Sequence, residues 1–437
     1  MKRIKRRASA ALVIAALVML GVGVLFVRLV REGGEWAAFR ANESVYTARG
    51  VLNCGTMTDR NGTVLAQAQN GDYHYAEDTA LRIASVHAVG DYGGHIGTAA
   101  LEAFADKLTG YNVIRGTTNP GGTVALSLDA ELQKTALGAL AGRNGAVLLM
   151  NYETGELLCM VSSPGWDPNE PPDESIDGLY LNRALSASYT PGSVFKLVTL
   201  AAALENIPDL YERTFMCYGA CEVGGVEIRC TGFHREQTIE EALANSCNCA
   251  FAELALELGG DTLAQYAKQL GLTETQELDG IFVRAGSFDA VEWQSSDLAW
   301  SGIGQYTDLV TPFAMLRFTA AAANGGTLRS PTLLLGERNE KLRLIKPATA
   351  EALFAMMSYD VSYTYAEKLP LGKLPLCGKT GTAELGDGTT HAWFTGFLSG
   401  ELPLAVTVVV ERGGSGIGEA APIAVTLLKK AVENDIS

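Results

Sequence analysis

The sequence predicts an α/β protein of the α+β type: one antiparallel sheet flanked by helices, preceded by a single apolar helix and a small platform. Three observations carry this. "GAVLLMNYETGELLCMVSS" (145–163) is two apolar runs around a Glu-Thr-Gly turn, an antiparallel hairpin. "HAWFTGFL" (391–398) and "LPLAVTVVVE" (402–411) are two more strand-like runs, placed far along the chain. Helical patterns fill the interval, and "APIAVTLLKKAVEN" (421–434) closes the chain as an amphipathic helix. Strands at both ends of a domain, with helices between them, make one sheet assembled from both ends.

The elements follow in order. Residues 1–7, "MKRIKRR", carry five basic side chains and no acidic one. Ala8 to Val27 is a run of 20 uncharged, mostly apolar residues, the length a helix needs to cross roughly 30 Å of hydrocarbon. The preceding positive charges are expected to hold its N-terminus in the cytoplasm. A cleaved signal peptide is the rival reading, but the run is long and leaves into "RLVREGGEW" without a small-x-small cleavage site. Residues 8–28 therefore read as an uncleaved anchor, with everything after Arg28 outside the cytoplasm. Residues 29–122 read as the platform. Within it Asn61-Gly62 lies between alternating runs, a hairpin signal, and "GTAALEAFADKLTG" (97–110) reads as one helix ending at Gly110. "NPGGT" (119–123) marks a boundary, and residues 123–437 form the main domain. There "DAELQKTALGAL" (129–140) is helical, a helix runs from Ser193 to Glu205, and residues 238–260 are helical at both ends around an interruption at "NSCN" (245–248).

Beyond the first seven residues, 29 basic residues stand against 49 acidic ones. A body this acidic, without a Lys/Arg cluster, excludes a nucleic-acid binder. Eight cysteines occur. Cys217, Cys221, Cys230 and His234 follow one another with three, eight and three residues between them, a spacing that could close a zinc tetrahedron. An exported domain with a large core needs no metal to fold, so a local disulfide or free thiols is the favoured reading. No metal and no cofactor are expected.

The chemistry begins at "SYTPGSVFKL" (188–197), where Ser193 and Lys196 stand three apart and lead into an apolar helix. On a helix i and i+3 share a face, so Lys196 reaches the Ser193 hydroxyl. A serine needs a base to become a nucleophile, and a lysine serves as one only when neutral. Burial among Val194, Phe195, Leu197 and Val198 favours the neutral amine. Alone, the pair reads as a helix-capping serine beside a solvated lysine. Two further patterns change that. "NSCNCAF" supplies Ser246 and Asn248, able to extend the proton relay and hold a substrate amide. "CGKTGTAE" supplies Lys379, Thr380, Gly381 and Thr382: a positive charge, two hydroxyls for a carboxylate, and a glycine that lets a substrate backbone lie close. S-x-x-K, S-x-N and K-T-G occur once each, in this order.

With these motifs the chain resembles a class B penicillin-binding protein, a membrane-anchored peptidoglycan D,D-transpeptidase. "TDRNGTVLA" resembles the turn that follows the anchor in such proteins, and "NRALSASYTPGSVFK" the nucleophile segment. "GIGQYTDLVTPFAML", "AAANGGTL" and "GKTGTAE" with "HAWFTGF" resemble the middle and the end. One departure is Cys54 where the family usually has an arginine before the turn; "ARG" lies earlier, at 48–50. The resemblance implies a penicillin-binding/β-lactamase-like fold, with Ser193 as acyl acceptor, Lys196 as its base, and Ser246 and Asn248 as the second motif. It also implies Lys379, Thr380 and Thr382 on a carboxylate-binding strand, and an oxyanion hole made by the Ser193 and Thr382 N–H groups. Implied partners are peptidoglycan stem peptides on lipid-linked glycan strands, β-lactams as covalent inhibitors, and a polytopic membrane glycosyltransferase docking on the platform. A serine β-lactamase is the main rival. Its deacylating E-x-x-L-N element is missing downstream of the second motif, and "EALAN" (241–245) precedes Ser246 instead. A D,D-carboxypeptidase differs only in acceptor. A β-lactam sensor, the non-enzymatic alternative, has several membrane helices.

Overall fold

The computed structural model describes residues 2–47, 51–69, 72–91, 93–117, 120–289, 292, 294–337 and 339–436. The "ARG" at 48–50 and Asn119 of the boundary segment lie outside them.

The centre is a five-stranded sheet. Its strands are β1 (Gly145–Asn151), β2 (Leu157–Ser163), β3 (Leu376–Glu384), β4 (Thr390–Leu398) and β5 (Leu404–Val410). The order is β3-β4-β5-β1-β2, antiparallel throughout. The join between the two ends of the domain is the β5–β1 ladder, with Val410 opposite Gly145 and Leu404 opposite Asn151. Every residue of β1, β2 and β5 is buried, because helices cover both faces; the strands therefore read as unbroken apolar runs.

The helices that matter are α1 (Lys2–Ala37), α2 (Ala130–Leu140), α3 (Lys196–Asn206), α4 (Asn248–Leu258), α5 (Pro312–Ala323) and α6 (Ala421–Glu433). Val147, Leu149, Val406 and Val408 pack with Leu132 of α2 and Leu427 of α6 on one face. Ala146, Leu148 and Val409 pack with Phe313 and Leu316 of α5 on the other. The period-two alternation of the strands feeds these two cores in turn. The strand order puts β3 at one edge of the sheet.

Helix α1 outruns the predicted 8–28 anchor at both ends. It is long and apolar enough to cross a membrane. Its last turns join the platform, where Gly33 lies against the Tyr111 ring; a Cβ there would come within 2.6 Å of it. The platform sheet has the order Asp72–Tyr75, Val64–Gln69, Thr56–Thr58, Thr123–Ala125. The expected hairpin at Asn61-Gly62 is present. Its turn is held by the Asp59 carboxylate, which accepts from the N–H groups of Asn61 (2.9 Å) and Thr63 (2.7 Å).

Two expectations need correction. The single helix over 97–110 is two four-residue helices, Ala100–Ala103 and Ala105–Leu108; between them Phe104 leaves helical geometry at φ −109° and its side chain is buried. The boundary after residue 122 also falls inside the platform sheet, since Thr123–Ala125 pairs parallel with Thr56–Thr58. Val124, Leu126 and Leu128 share one core with Met57 and Leu65, so the platform is welded to the main domain.

Candidate active site

The segment that carries Ser193 is built on two glycines. Gly192 adopts φ +56°, and a Cβ on it would come within 3.0 Å of the Thr382 carbonyl oxygen. Its N–H donates to the Gly304 carbonyl at 2.8 Å, and a Cβ on Gly304 would sit 2.2 Å from the Gly192 oxygen. The turn is thereby clamped between β3 and the 302–305 segment. Ser193 sits in a 3₁₀ turn, Gly192–Val194, and α3 starts only at Lys196. The predicted helix from Ser193 is corrected to this extent. The i, i+3 argument survives and gains, since a 3₁₀ turn has three residues per turn and stacks i over i+3.

Lys196 is fully buried. Its Nζ lies 2.7 Å from the Ser246 carbonyl oxygen, 2.7 Å from Asn248 Oδ1, 3.0 Å from Ser193 Oγ and 3.1 Å from Ser246 Oγ. The two shortest contacts are to oxygens that only accept. A neutral amine has two N–H groups for them and keeps its lone pair for the Ser193 hydroxyl, which then donates to it. Burial, followed by the positive charge of Lys379, lowers the Lys196 pKa to about 7. Ser246 completes a triangle, its Oγ 2.9 Å from Ser193 Oγ. It holds φ +50°, uncommon for serine, at the interruption before α4 that the sequence placed at "NSCN". Asn248 is pinned from behind, its Nδ2 donating to the Arg229 carbonyl at 2.8 Å.

A pH profile follows. The base works only when deprotonated, so penicillin acylation is expected to rise as pH increases through about 7 and to level off above it. Stopped-time labelling from pH 5.5 to 9 checks this; a flat profile, or a fall with rising pH, contradicts the neutral amine.

On β3 alternate residues face opposite ways. Thr380 and Thr382 look into a cleft of about 780 Å³ whose lining also includes Ser193, Ser246, Asn248, Trp300 and Gln305. Lys379 and Gly381 face inward. This changes the part given to Gly381. A Cβ on it would meet the Pro191 carbonyl oxygen at 2.8 Å and Val194 Cγ1 at 3.1 Å. The glycine lets the nucleophile turn approach the strand, whereas the sequence reading gave that room to substrate.

Lys379 is buried with no exposed surface and lies 3.2 Å from both Asp360 Oδ2 and Tyr365 Oη. Burial works against its charge, but the Asp360 carboxylate and Tyr365 outweigh it and raise the pKa to about 12. Lys379 is thus held as a cation while Lys196 loses its proton near neutral pH, two lysines with charges set by environment. The Tyr365 hydroxyl also lies 2.9 Å from Thr380 Oγ1, tying the buried pair to the cleft. Asp360→Ala leaves the Lys379 charge buried and unpaired. The expected cost is about 3–5 kcal/mol of stability, readable as a lower denaturation midpoint.

Sequence reasoning missed Asp360, Tyr365, Gly304 and the Arg229 carbonyl. Gly304 lies in the 302–316 segment quoted above but was given no part there; the other three stand in no motif, and the fold brings all four to the site. It also assembled the thiol group from the wrong cysteine. Cys217, Cys230 and His234 do come together, but the fourth member is Cys247; Cys221 is not in the group. All four ligand atoms lie within 4.8 Å of one another, so this is the set that could hold a metal. All eight cysteines are free thiols.

The penicillin binding protein transpeptidase domain matches residues 145–429, the span from β1 into α6. The chain belongs to this family. The transpeptidase is 29% identical over 359 residues to peptidoglycan D,D-transpeptidase PbpA of Mycolicibacterium smegmatis, covering 69% of this chain and 71% of that one. It is 26% identical over 445 residues to PbpA of Mycobacterium tuberculosis, covering 86% and 90%. Its fold is that of M. tuberculosis penicillin-binding protein A, solved as a ceftriaxone acyl-enzyme (TM-score 0.78, 24% identity, 87% of this chain and 98% of that one). The D,D-transpeptidase domain of a peptidoglycan glycosyltransferase from Eggerthella lenta matches with a TM-score of 0.74 at 27% identity, again over 87% and 98%. The protein is a serine-type peptidoglycan D,D-transpeptidase of class B. That agrees with the resemblance carried by the three motifs.

Proposed function

We propose that the D-Ala-D-Ala end of one stem peptide is cut and joined to a neighbouring stem through an ester on Ser193. The observation that supports this most is the Lys196 amine, buried, 3.0 Å from Ser193 Oγ and with its pKa lowered to about 7. Lys196 takes the Ser193 proton as Oγ attacks the carbonyl of the penultimate D-alanine. The N–H groups of Ser193 and Thr382 hold the oxyanion, and Thr380 and Thr382 hold the terminal carboxylate, with the buried charge of Lys379 behind them. The proton passes through Ser246 to the departing D-alanine amine. An acceptor amine then attacks the ester, gives up its proton along the same relay, and Ser193 is restored.

The first seven residues stay in the cytoplasm, residues 8–28 of α1 span the membrane, and the catalytic domain lies outside. There it meets stem peptides on lipid-linked glycan strands. β-Lactams acylate Ser193, and the platform serves as a docking surface for a polytopic membrane glycosyltransferase.

The full-length protein in detergent, given a synthetic stem pentapeptide, is expected to release D-alanine and form a new amide only with an acceptor amine present. Hydrolysis alone, indifferent to the acceptor, makes it a carboxypeptidase. No release of D-alanine under either condition removes the proposal.

A further inference from the structure

We propose that Cys217, Cys230, His234 and Cys247 form a tetrahedral site for a zinc-class divalent cation, and that this ion holds Asn248 in place beside Lys196. The second half rests on the relay described above; the first stands without it.

Geometry comes first. Zinc–sulfur bonds of about 2.3 Å and zinc–nitrogen bonds of about 2.0–2.1 Å in a tetrahedron give ligand-to-ligand edges of roughly 3.5–3.8 Å. Cys230 Sγ lies 3.7 Å from Cys247 Sγ and 3.6 Å from His234 Nδ1. Two edges are thus at tetrahedral length already, and no pair in the group exceeds 4.8 Å. Three thiolates with one imidazole are a soft ligand set, suited to zinc and poorly suited to magnesium or calcium. His234 Nε2 faces Thr231 Oγ1 at 3.5 Å, which leaves Nδ1 turned to the sulfurs.

The sequence argument against a metal was that a large core needs none. That holds for the domain and fails for this lobe. Residues 215–237 fold as two short ladders, Phe215–Cys217 with Arg235–Gln237 and Ala220–Val223 with Val226–Arg229. Their buried apolar side chains are Phe215, Cys217 and Ile228, while Met216, Tyr218, Val226 and Phe233 are exposed. A unit so small and so poorly buried is the kind that a metal staples. The four ligands come from both sides of the lobe and from the start of α4, so one ion ties the lobe to the catalytic domain.

Coupling to catalysis is direct. Cys247 is the residue between Ser246 and Asn248. Cys230 Sγ accepts the Asn248 backbone N–H at 3.1 Å, and the neighbouring Arg229 carbonyl accepts its side-chain amide at 2.8 Å. Asn248 Oδ1 in turn lies 2.7 Å from Lys196 Nζ. The four ligands are positioning residues that act on Lys196 through Asn248.

The test uses the full-length protein in detergent, kept reduced. Elemental analysis is expected to find one zinc per chain. Cys230→Ser and His234→Ala should lose it, while Cys221→Ser and Cys377→Ser keep it; Cys221→Ser separates this tetrad from the one the spacing suggests. Cobalt(II) in place of zinc should give thiolate charge-transfer absorption and tetrahedral visible bands, weakened in His234→Ala. Removing the metal should slow penicillin acylation roughly 10–100-fold, and added zinc should restore the rate. Absence of metal, a Cys230–Cys247 or Cys217–Cys249 disulfide in its place, or metal retained by Cys230→Ser and His234→Ala overturns the site. Unchanged acylation by metal-free protein overturns the hold on Asn248.

Discussion

Ser193→Ala is expected to abolish covalent labelling of the full-length protein by a fluorescent penicillin, and Lys196→Ala to slow it by about 10⁴-fold or more. The two side chains are expected to act as one unit, because the hydroxyl attacks only as a nearby base takes its proton, and the buried amine is the group placed for that. Within hydrogen-bond reach of Ser193 Oγ, the Lys196 amine and the Ser246 hydroxyl are the polar side chains among the described residues. The amine can take a proton outright, while the hydroxyl can only pass one on. Lys196→Arg should not rescue, since a guanidinium keeps its proton at every accessible pH. Peptide mapping of the wild-type adduct should find one penicilloyl group per chain, on Ser193. An adduct on another residue, or undiminished labelling of either alanine variant, would sink the assignment.

Much of this site was legible in the sequence because its parts are local. Ser193 and Lys196 sit within one turn, Ser246 and Asn248 flank a helix start, and Lys379 to Thr382 lie along one strand. Short-range geometry fixes what such residues can do together. The hairpin at 145–163 and the interruption at 245–248 were legible for the same reason, since apolar period and turn residues are local signals. What escaped was set by contacts distant in the chain. Asp360 and Tyr365 matter because Lys379 is buried against them, and nothing in "SYDVSYTY" marks either. Gly381 looked like room for substrate until its inward face proved to pack on Pro191. Phe104 breaks a helical pattern where its side chain is buried, a tertiary preference that local propensity does not register. Cys247 replaced Cys221 in the thiol group because α4 brings it there, whereas sequence spacing ranks only neighbours.

The penicilloyl-enzyme is expected to persist for minutes to hours after excess drug is removed, with negligible net hydrolysis of the antibiotic. Acylation and deacylation place different demands on a site. The first needs a base for the serine, which the Lys196 amine, 3.0 Å from Ser193 Oγ, is placed to supply. The second needs a base for water on the open side of the ester, and such help is typically worth about 10²–10⁴-fold. Two carboxylates, Glu227 and Glu384, line the cleft. Glu227 is engaged with Arg229 at 2.8 Å on an exposed hairpin. Glu384 lies two residues beyond Thr382, at the far end of β3. Neither has a hydrogen bond to Ser193 or Ser246 among the described residues, so neither is tied into the relay that a hydrolytic water would have to join. Lys196 is itself enclosed by Ser246 and Asn248, on the side from which the serine was deprotonated. The ester is therefore left for an amine nucleophile, which needs less activation than water because it is the stronger nucleophile. Intact-protein mass spectrometry over time measures the adduct directly. An adduct that vanishes within seconds while penicillin is consumed would mean that the cleft activates water after all. An adduct that outlasts the free drug means that the cleft forms its ester efficiently and supplies no base to turn water against it.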